Sequence, residues 1–183
     1  SIFVNPSQFG PGEDLAAYPR DLERDAALCA SVGVDALFLP EPEQVYPPDF
    51  DTWIHPGRAG ELACGPWRPG HFRGVLTVVH RLFQWVRPQL SIFGRKDAQQ
   101  LWLIRRMAED LGLAHQIEAG PLIRDPDGLA MSSRNIYLSE EERRAALALP
   151  RTLQVLARRI LDGEEPFAVR EELWRGLGEL PLL

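Results

Sequence analysis

The segment PQLSIFGRKDAQQLWLIRRMAEDLG (88–112) decides how the rest of the chain is read. Pro88 closes any helix before it, because its ring removes a backbone donor and crowds the preceding turn. Leu90-Ser91-Ile92-Phe93 is short, apolar and β-prone, and predicts a strand. Gly94-Arg95-Lys96 supplies a turn. Leu101, Ile104, Ala108 and Leu111 then recur on one helical face until Gly112, a residue suited to a left-handed helix end. Gln116-Ile117-Glu118-Ala119 predicts one more strand.

Upstream, Val75, Val78, Val79, Leu82, Phe83 and Val86 mark a helix by their i, i+3, i+4 recurrence. Residues 40–72 are rich in Pro and Gly and predict loops, with a short strand near Trp53-Ile54 and a short helix near Glu61. The opening Ser1-Ile2-Phe3-Val4 predicts a strand that runs into Asn5-Pro6. A helix is expected from Pro19, with Leu22, Ala26, Cys29 and Ala30 on one face until Gly33. Val34 to Leu39 then predicts a buried strand stopped by Pro40, so that residues 1–39 read as strand, helix, strand with short joints, the grammar of parallel pairing. Downstream, Leu122 to Met131 predicts a hairpin turning at Asp127-Gly128. Ser139 with Glu142 is a capping box ahead of one long helix through Leu161, and another helix follows Pro166. The pattern predicts a doubly wound α/β domain over residues 1–121 and a smaller helical domain over 122–183.

Composition fits a globular chain of this size: 183 residues, 45% hydrophobic and 25% charged, with a net charge of −6. No apolar run approaches the ~20 residues of a membrane helix, and the first residues lack the basic start of a signal peptide. The acidic balance argues against a general nucleic-acid or membrane-surface binder, while leaving room for a local basic site. Cys29 and Cys64 form neither a disulfide framework nor a metal knuckle, so a reduced, cytosolic setting is expected. No His/Cys/Asp cluster has metal-ligand spacing, and no side-chain metal site is predicted. Lys96 is the only lysine; every other member of the Lys/Arg set is arginine.

Ligands of open parallel sheets bind at the carboxyl ends of strands, and two strand ends here are unusually polar. Asn5-Pro6-Ser7-Gln8-Phe9-Gly10 follows the opening strand. There Asn5 and Gln8 either meet a ligand or satisfy the loop's own backbone. Gly94-Arg95-Lys96-Asp97-Ala98-Gln99-Gln100 joins strand to helix, where free N–H groups, the positive dipole end and two cations suit a phosphate. Asp97 and Gln100 can equally be read as a helix cap and its partner. A third set, Met131-Ser132-Ser133-Arg134-Asn135, carries several donors and reads either as a closing loop or as a polar interdomain loop. His71 is read chiefly as a loop hydrogen-bonder; His55, His80 and His115 as surface or packing positions. The five tryptophans are read as packing, because no basic stripe interleaves them. Walker A, dinucleotide and GxSxG patterns are absent, so generic regexes decide nothing.

In order, FVNPSQFGPGEDLAAYPRDLERD (3–25), RPGHFRGVLTVVHRLFQWVRP (68–88), FGRKDAQQLWLIRRM (93–107) and IRDPDGLAMSSRNIYLS (123–139) resemble the pantothenate synthetase family over almost the whole chain. The resemblance implies a Rossmann-like nucleotidyltransferase domain with a parallel sheet, followed by a smaller helical lid domain, in a homodimer. It implies ATP-dependent joining of pantoate to β-alanine through pantoyl adenylate, with Mg²⁺ held largely by the phosphates. Gln8 and Gln100 resemble the glutamines that hold pantoate, with Gln8 also near β-alanine, and Asn5 is expected to bind substrate with them. Gly94, Arg95, Lys96 and Asp97 resemble the stretch that meets ATP, and Ile123 a position whose backbone meets adenine. Met131, Ser132, Ser133 and Arg134 resemble the loop that closes over the triphosphate. Lys96 and Arg134 would then stabilise developing phosphate charge.

Two positions depart from the family pattern: Arg95 and Cys64 stand where Glu is common. The family's HxGH-type segment, with its catalytic histidine, is expected before Ser1, and short strands are expected beyond Leu183. Two alternatives accompany the resemblance. One is a chain that binds these ligands without turning them over. The other is a related nucleotidyltransferase acting on another carboxylate, against which the Gln8/Gln100 pair argues.

Overall fold

The computed structural model describes residues 1–178; Pro181-Leu182-Leu183, where the small domain is expected to run on, lie outside the described residues. In chain order the elements are α1 (Leu22–Ser31), α2 (Pro42–Val45), α3 (His71–Val86), β1 (Leu90–Gly94), α4 (Ala98–Asp110), β2 (Gln116–Gly120), α5 (Glu140–Ala146), α6 (Ala148–Leu161) and α7 (Pro166–Gly178). β1 and β2 pair in parallel from Leu90 opposite Gln116 to Gly94 opposite Gly120, with α4 as the crossover. The chain is therefore α/β with a parallel sheet, as expected, but the described parallel pair lies at 90–94 and 116–120 and not in the 1–39 run that the pattern assigns to it.

α3 and α4 hold the core. Phe72, Val75, Leu76, Val78, Val79 and Phe83 of α3 pack with Leu103, Ile104 and Met107 of α4 and with Val45. α3 starts four residues earlier than its apolar periodicity, at His71, because Gly70 in the left-handed region (φ 82°) admits the chain to the helix. It stops at Arg87, whose backbone is itself left-handed (φ 49°) ahead of Pro88.

Several expectations are corrected. Ser1–Val4 and Val34–Leu39 are not laddered strands. One backbone bond, from Ile2 N–H to the Phe38 carbonyl at 3.1 Å, joins them, and Val34, Phe38 and Leu39 remain exposed. Little apolar burial is therefore available to fix a register. Trp53-Ile54 is not a strand either, because the Ile54 N–H is taken by the Thr77 hydroxyl at 3.0 Å. The α1 helix begins at Leu22 rather than Pro19, capped by the Asp21 carboxylate on the Arg24 N–H. The expected short helix near Glu61 is a 3₁₀ turn, Arg58–Glu61.

The long helix predicted through Leu161 is two helices, α5 and α6, breaking at Leu147. Pro150 lacks the N–H that would bond the Ala146 carbonyl, and its ring crowds that carbonyl. The Ser139/Glu142 capping box is present, with both reciprocal bonds made. The tryptophans are not uniformly packing residues: Trp67 is 86% exposed, and Trp102 and Trp174 are more than half exposed.

The chain separates into two compact units, one over Ser1–Pro121 and one from Leu122 onward. In the second, α6 packs on α7, and Arg159 ties them by bonds to Glu164 at 2.8 Å and to Glu172 at 3.0 Å.

Candidate active site

In the first unit, Asn5 is 3% exposed and organises the loop that carries Gln8. Its Nδ2 donates to the Gln8 side-chain carbonyl and to the Gly74 backbone carbonyl, both at 3.2 Å. Its Oδ1 lies 2.9 Å from the Ser7 hydroxyl and 2.8 Å from the Tyr46 hydroxyl, which are themselves 2.7 Å apart. Two hydroxyl protons serve three oxygen contacts, so any one arrangement makes two of the three into hydrogen bonds. These partners also fix the orientation of the Asn5 amide. The loop reaches α3 this closely because residue 74 is glycine: a Cβ there would stand 2.4 Å from the Ser7 carbonyl oxygen. Burial pushes the Tyr46 phenol up, against the pull of Ser7 and Asn5.

His71, in the first turn of α3, touches the same loop. Its Nδ1 is 2.8 Å from the Gln8 backbone carbonyl, and its Nε2 is 3.0 Å from an Arg68 guanidinium nitrogen. A carbonyl only accepts and a guanidinium only donates, so the ring must be neutral, with its proton on Nδ1. Burial holds His71 below the usual imidazole range; the Gln8 carbonyl opposes this, Arg68 reinforces it, and Glu13 and Asp97 oppose it. Arg68 in turn grips Glu13 with two bonds, at 3.0 and 2.7 Å. That grip holds the Glu13 carboxyl below its ordinary value. Glu13 and Tyr46 escaped the sequence reading because their partners lie tens of residues away, with no local periodicity to announce them.

The turn after β1 is built differently. Arg95–Asp97 form a 3₁₀ turn into α4, and Gly94 ends the strand opposite Gly120. Lys96 Nζ lies 3.4 Å from Asp97 Oδ1, with the side chains 41% and 56% exposed. Asp97 makes no side-chain cap to α4, so the capping reading of Asp97 and Gln100 is not what this turn does. The α4 N-terminus thus stands, behind this turn and without a side-chain cap from Asp97, at a parallel strand's carboxyl end.

Gln99, which the sequence reading passed over, ties down the neighbouring loop. Its amide bonds the Cys64 N–H and the Ala59 and Leu62 carbonyls. Among the described residues no hydrogen bond joins Gln8, Gln100 and Lys96 to one another. A concavity of about 770 Å³ is lined by His55, Glu61, Arg68, Gly70, Phe72 and Arg73 among others.

In the second unit, Ile123 and Met131 are exposed and close a hairpin through the Met131 N–H and the Ile123 carbonyl, 3.0 Å apart. Arg143 on α5 clamps it, bonding Asp127 and Asp125 at 2.7 Å each. Asn135 donates to the Ala130 carbonyl at 3.0 Å, and the Ser132 hydroxyl accepts from the Arg134 N–H. Ser133 and Arg134 are engaged by further interactions of their own.

No group of three His, Cys, Asp or Glu side chains converges to hold an ion among the described residues. The Arg95–Asp97 turn offers two cations, whose N–H donors suit phosphate oxygens, beside one carboxylate, which can only accept. Mg²⁺ fits it only as an ion carried by a nucleotide's phosphates. Among the described residues no helix is long and apolar enough to cross a membrane, and Cys29 and Cys64 are free thiols.

The Pantoate-beta-alanine ligase family model matches residues 1–178. A pantothenate synthetase of Bradyrhizobium diazoefficiens is 53% identical over 168 residues, covering 92% of this chain and 59% of the relative. One of Heliobacterium modesticaldum is 56% identical over 165 residues, covering 90% and 58% respectively. The crystal structure of pantothenate synthetase from Thermus thermophilus superposes with a TM-score of 0.89 at 48% identity, covering 97% of this chain and 66% of that one. A pantoate-beta-alanine ligase from Francisella tularensis, complexed with beta-gamma ATP and beta-alanine, superposes with a TM-score of 0.82 at 35% identity, covering 97% and 65%. The chain thus spans about three fifths of the length of these curated relatives.

Proposed function

The chain belongs to the pantoate-beta-alanine ligase family, and from that premise we propose that it carries most of the binding surface of an enzyme that joins pantoate to β-alanine at the expense of ATP. The observation that carries the proposal is the β1–α4 junction. A glycine ends a parallel strand, the chain's only lysine follows it, and a helix N-terminus stands uncapped by Asp97. That is a nucleotide-phosphate cradle in chemical terms.

A carboxylate is a poor acyl donor, so pantoate is activated first. Its carboxylate oxygen attacks the α-phosphorus, a C–O–P bond forms, and pyrophosphate leaves. The β-alanine amine then attacks the activated carbonyl, the amide forms with loss of one amine proton, and AMP leaves. No enzyme nucleophile is needed. Catalysis rests on aligning two reactants and on cations placed where phosphate charge grows. Mg²⁺ accompanying ATP would neutralise part of that charge.

In this reading Lys96 and Arg134 supply the protein's cations, and Gln8 and Gln100 hold pantoate with both donors and acceptors. Gly94 and Asp97 face the ribose, and the Ile123 backbone meets adenine. Met131, Ser132 and Ser133 close over the triphosphate, with the unit from Leu122 acting as a lid. Arg95 lends its backbone and general charge. Asn5 enters as the residue that holds Gln8, since its amide is committed to the loop. A homodimer in a cytosolic setting belongs to the same proposal.

AMP formation tests the proposal, measured with pantoate, β-alanine and ATP–Mg²⁺ on the protein of the full reading frame and on residues 1–183. The full-length protein is expected to need all three substrates and to release pyrophosphate from pantoate and ATP before β-alanine is added. Pantoate-independent or absent pyrophosphate release at saturating ATP–Mg²⁺ overturns adenylation. A second reading, binding without turnover, is favoured by the three-fifths span. It holds if residues 1–183 bind pantoate or ATP and form no AMP. Turnover of a different carboxylate instead identifies a related nucleotidyltransferase.

A further inference from the structure

We propose that His71 is a positioning residue for pantoate, acting through its Nδ1–H on the Gln8 backbone carbonyl so that the Gln8 side chain is presented at a fixed height above the start of α3. The proposal rests on the reading of Gln8 as a pantoate holder. Gln8 is the last residue of the Pro6–Gln8 3₁₀ turn, which is anchored from two directions. Asn5 meets its side-chain carbonyl, and His71 meets its main-chain carbonyl at 2.8 Å. The second anchor is the stiffer. His71 is 9% exposed, its ring packs edge-on against Phe72, and its far nitrogen is held by Arg68, itself gripped by Glu13. A ring clamped at both nitrogens cannot turn without losing one bond. The chain Glu13–Arg68–His71–Gln8 therefore transmits the position of α3 to the glutamine.

Protonation would break this chain. An imidazolium would present Nε2–H to the guanidinium, placing donor against donor and cation against cation. The charged groups facing the ring are Arg68 from the loop before α3, Glu13 from the loop after Gln8, and Asp97 from the turn before α4. The two carboxylates soften that repulsion without restoring the lost acceptor.

Asparagine and glutamine divide the ring's two functions. His71→Asn keeps a donor at the Nδ1 position and loses the acceptor for Arg68. His71→Gln keeps that acceptor at the Nε2 position and loses the donor to Gln8. In the full-length protein, His71→Gln is expected to raise the pantoate KM about tenfold, the scale of one lost hydrogen bond, with the ATP KM unchanged. His71→Asn is expected to restore the pantoate KM to within about threefold of wild type, although its Tm falls. Equal pantoate KM values in the two variants, or a KM that follows Tm, overturn the proposal.

A second readout does not depend on turnover. Nitrogen-15 spectra of the wild-type imidazole are expected to show the Nδ1–H tautomer at neutral pH, and the Nε2–H tautomer overturns the assignment. Pantoate-independent wild-type turnover alongside an intact Nδ1–H signal overturns the role of Gln8 in pantoate binding while leaving the geometry standing. The two failures are thereby told apart.

Discussion

The loop around Asn5 and the turn around Lys96 lie in the same unit, yet they use their polar groups in opposite ways. Around Asn5 the polar atoms face inward and bond one another. The amide, two hydroxyls, an imidazole and an ion pair form one connected network over a buried residue. Around Lys96 the ammonium meets its neighbour Asp97, at 3.4 Å and half in water, a pairing worth little. Buried networks are costly to break and hold geometry; exposed cations cost little to keep and are available to a ligand. One region is a support, and in the proposed enzyme the other is a contact surface. Substitutions should therefore separate stability from turnover.

The sharpest separation is expected at Lys96. In the proposed enzyme, Lys96→Ala should lower the pyrophosphate-release rate by about 10²-fold or more, the scale of one lost transition-state stabiliser. Its urea midpoint should hardly move, because an exposed pair contributes at most a fraction of a kcal/mol. Unchanged turnover would assign Lys96 to a solvated turn and dissolve the contrast.

Asn5→Ala should do the reverse first. It strands the Gly74 carbonyl and the Gln8 side-chain carbonyl, and should cost about 2 kcal/mol in urea unfolding. A loss below about 0.5 kcal/mol would mean that the network is not a support. Gln100→Ala is intermediate. It stands in the first turn of α4, where Asp97 forms no side-chain cap, so stability should stay within about 0.5 kcal/mol while the pantoate KM rises about tenfold. A fall in stability at constant KM would return Gln100 to the helix terminus.

The contrast also explains what could be read in advance. The Lys96 turn was legible because everything it needs is local: a β-prone run, a glycine, and a helix of period 3.6 within 88–112. The same locality made the Ser139 capping box and the Asp127-Gly128 turn readable. The support around Asn5 was not. Its partners Gly74 and Tyr46 lie 69 and 41 residues away, and Arg68 reaches Glu13 across 55. Pattern rules carry no information at such separations. Sequence therefore leaves the Asn5 and Gln8 alternatives open and names no partner for His71. The two strands expected at 1–4 and 34–39 failed for a related reason: apolar composition proposes a strand, but burial across the sheet decides it. The break at Leu147 is readable in principle, because Pro150 stands inside the helical pattern.

The smallest effect expected is a pH dependence to which the support contributes. Burial holds His71 below the ordinary imidazole value of 6.5, so between that value and its folded one the unfolded chain binds the proton and the folded chain does not. Stability is complete above pH 6.5 and declines as the pH falls through that interval. Glu13, held below its ordinary value of 4.5 chiefly by Arg68, adds a decline of the same sign as the pH falls past 4.5. Urea midpoints measured from about pH 7.5 to about pH 4 should therefore fall in two stages. His71→Asn should flatten the upper stage and leave the lower one, and Glu13→Gln should shrink the lower stage without abolishing it, because Asp127, Glu142, Glu164 and Glu172 are also held below their ordinary values. Lys96→Ala should alter neither, since the exposed turn is not part of the support. An upper stage that survives His71→Asn would place its origin elsewhere, with His80, which burial also holds below the usual imidazole range, the next residue to substitute.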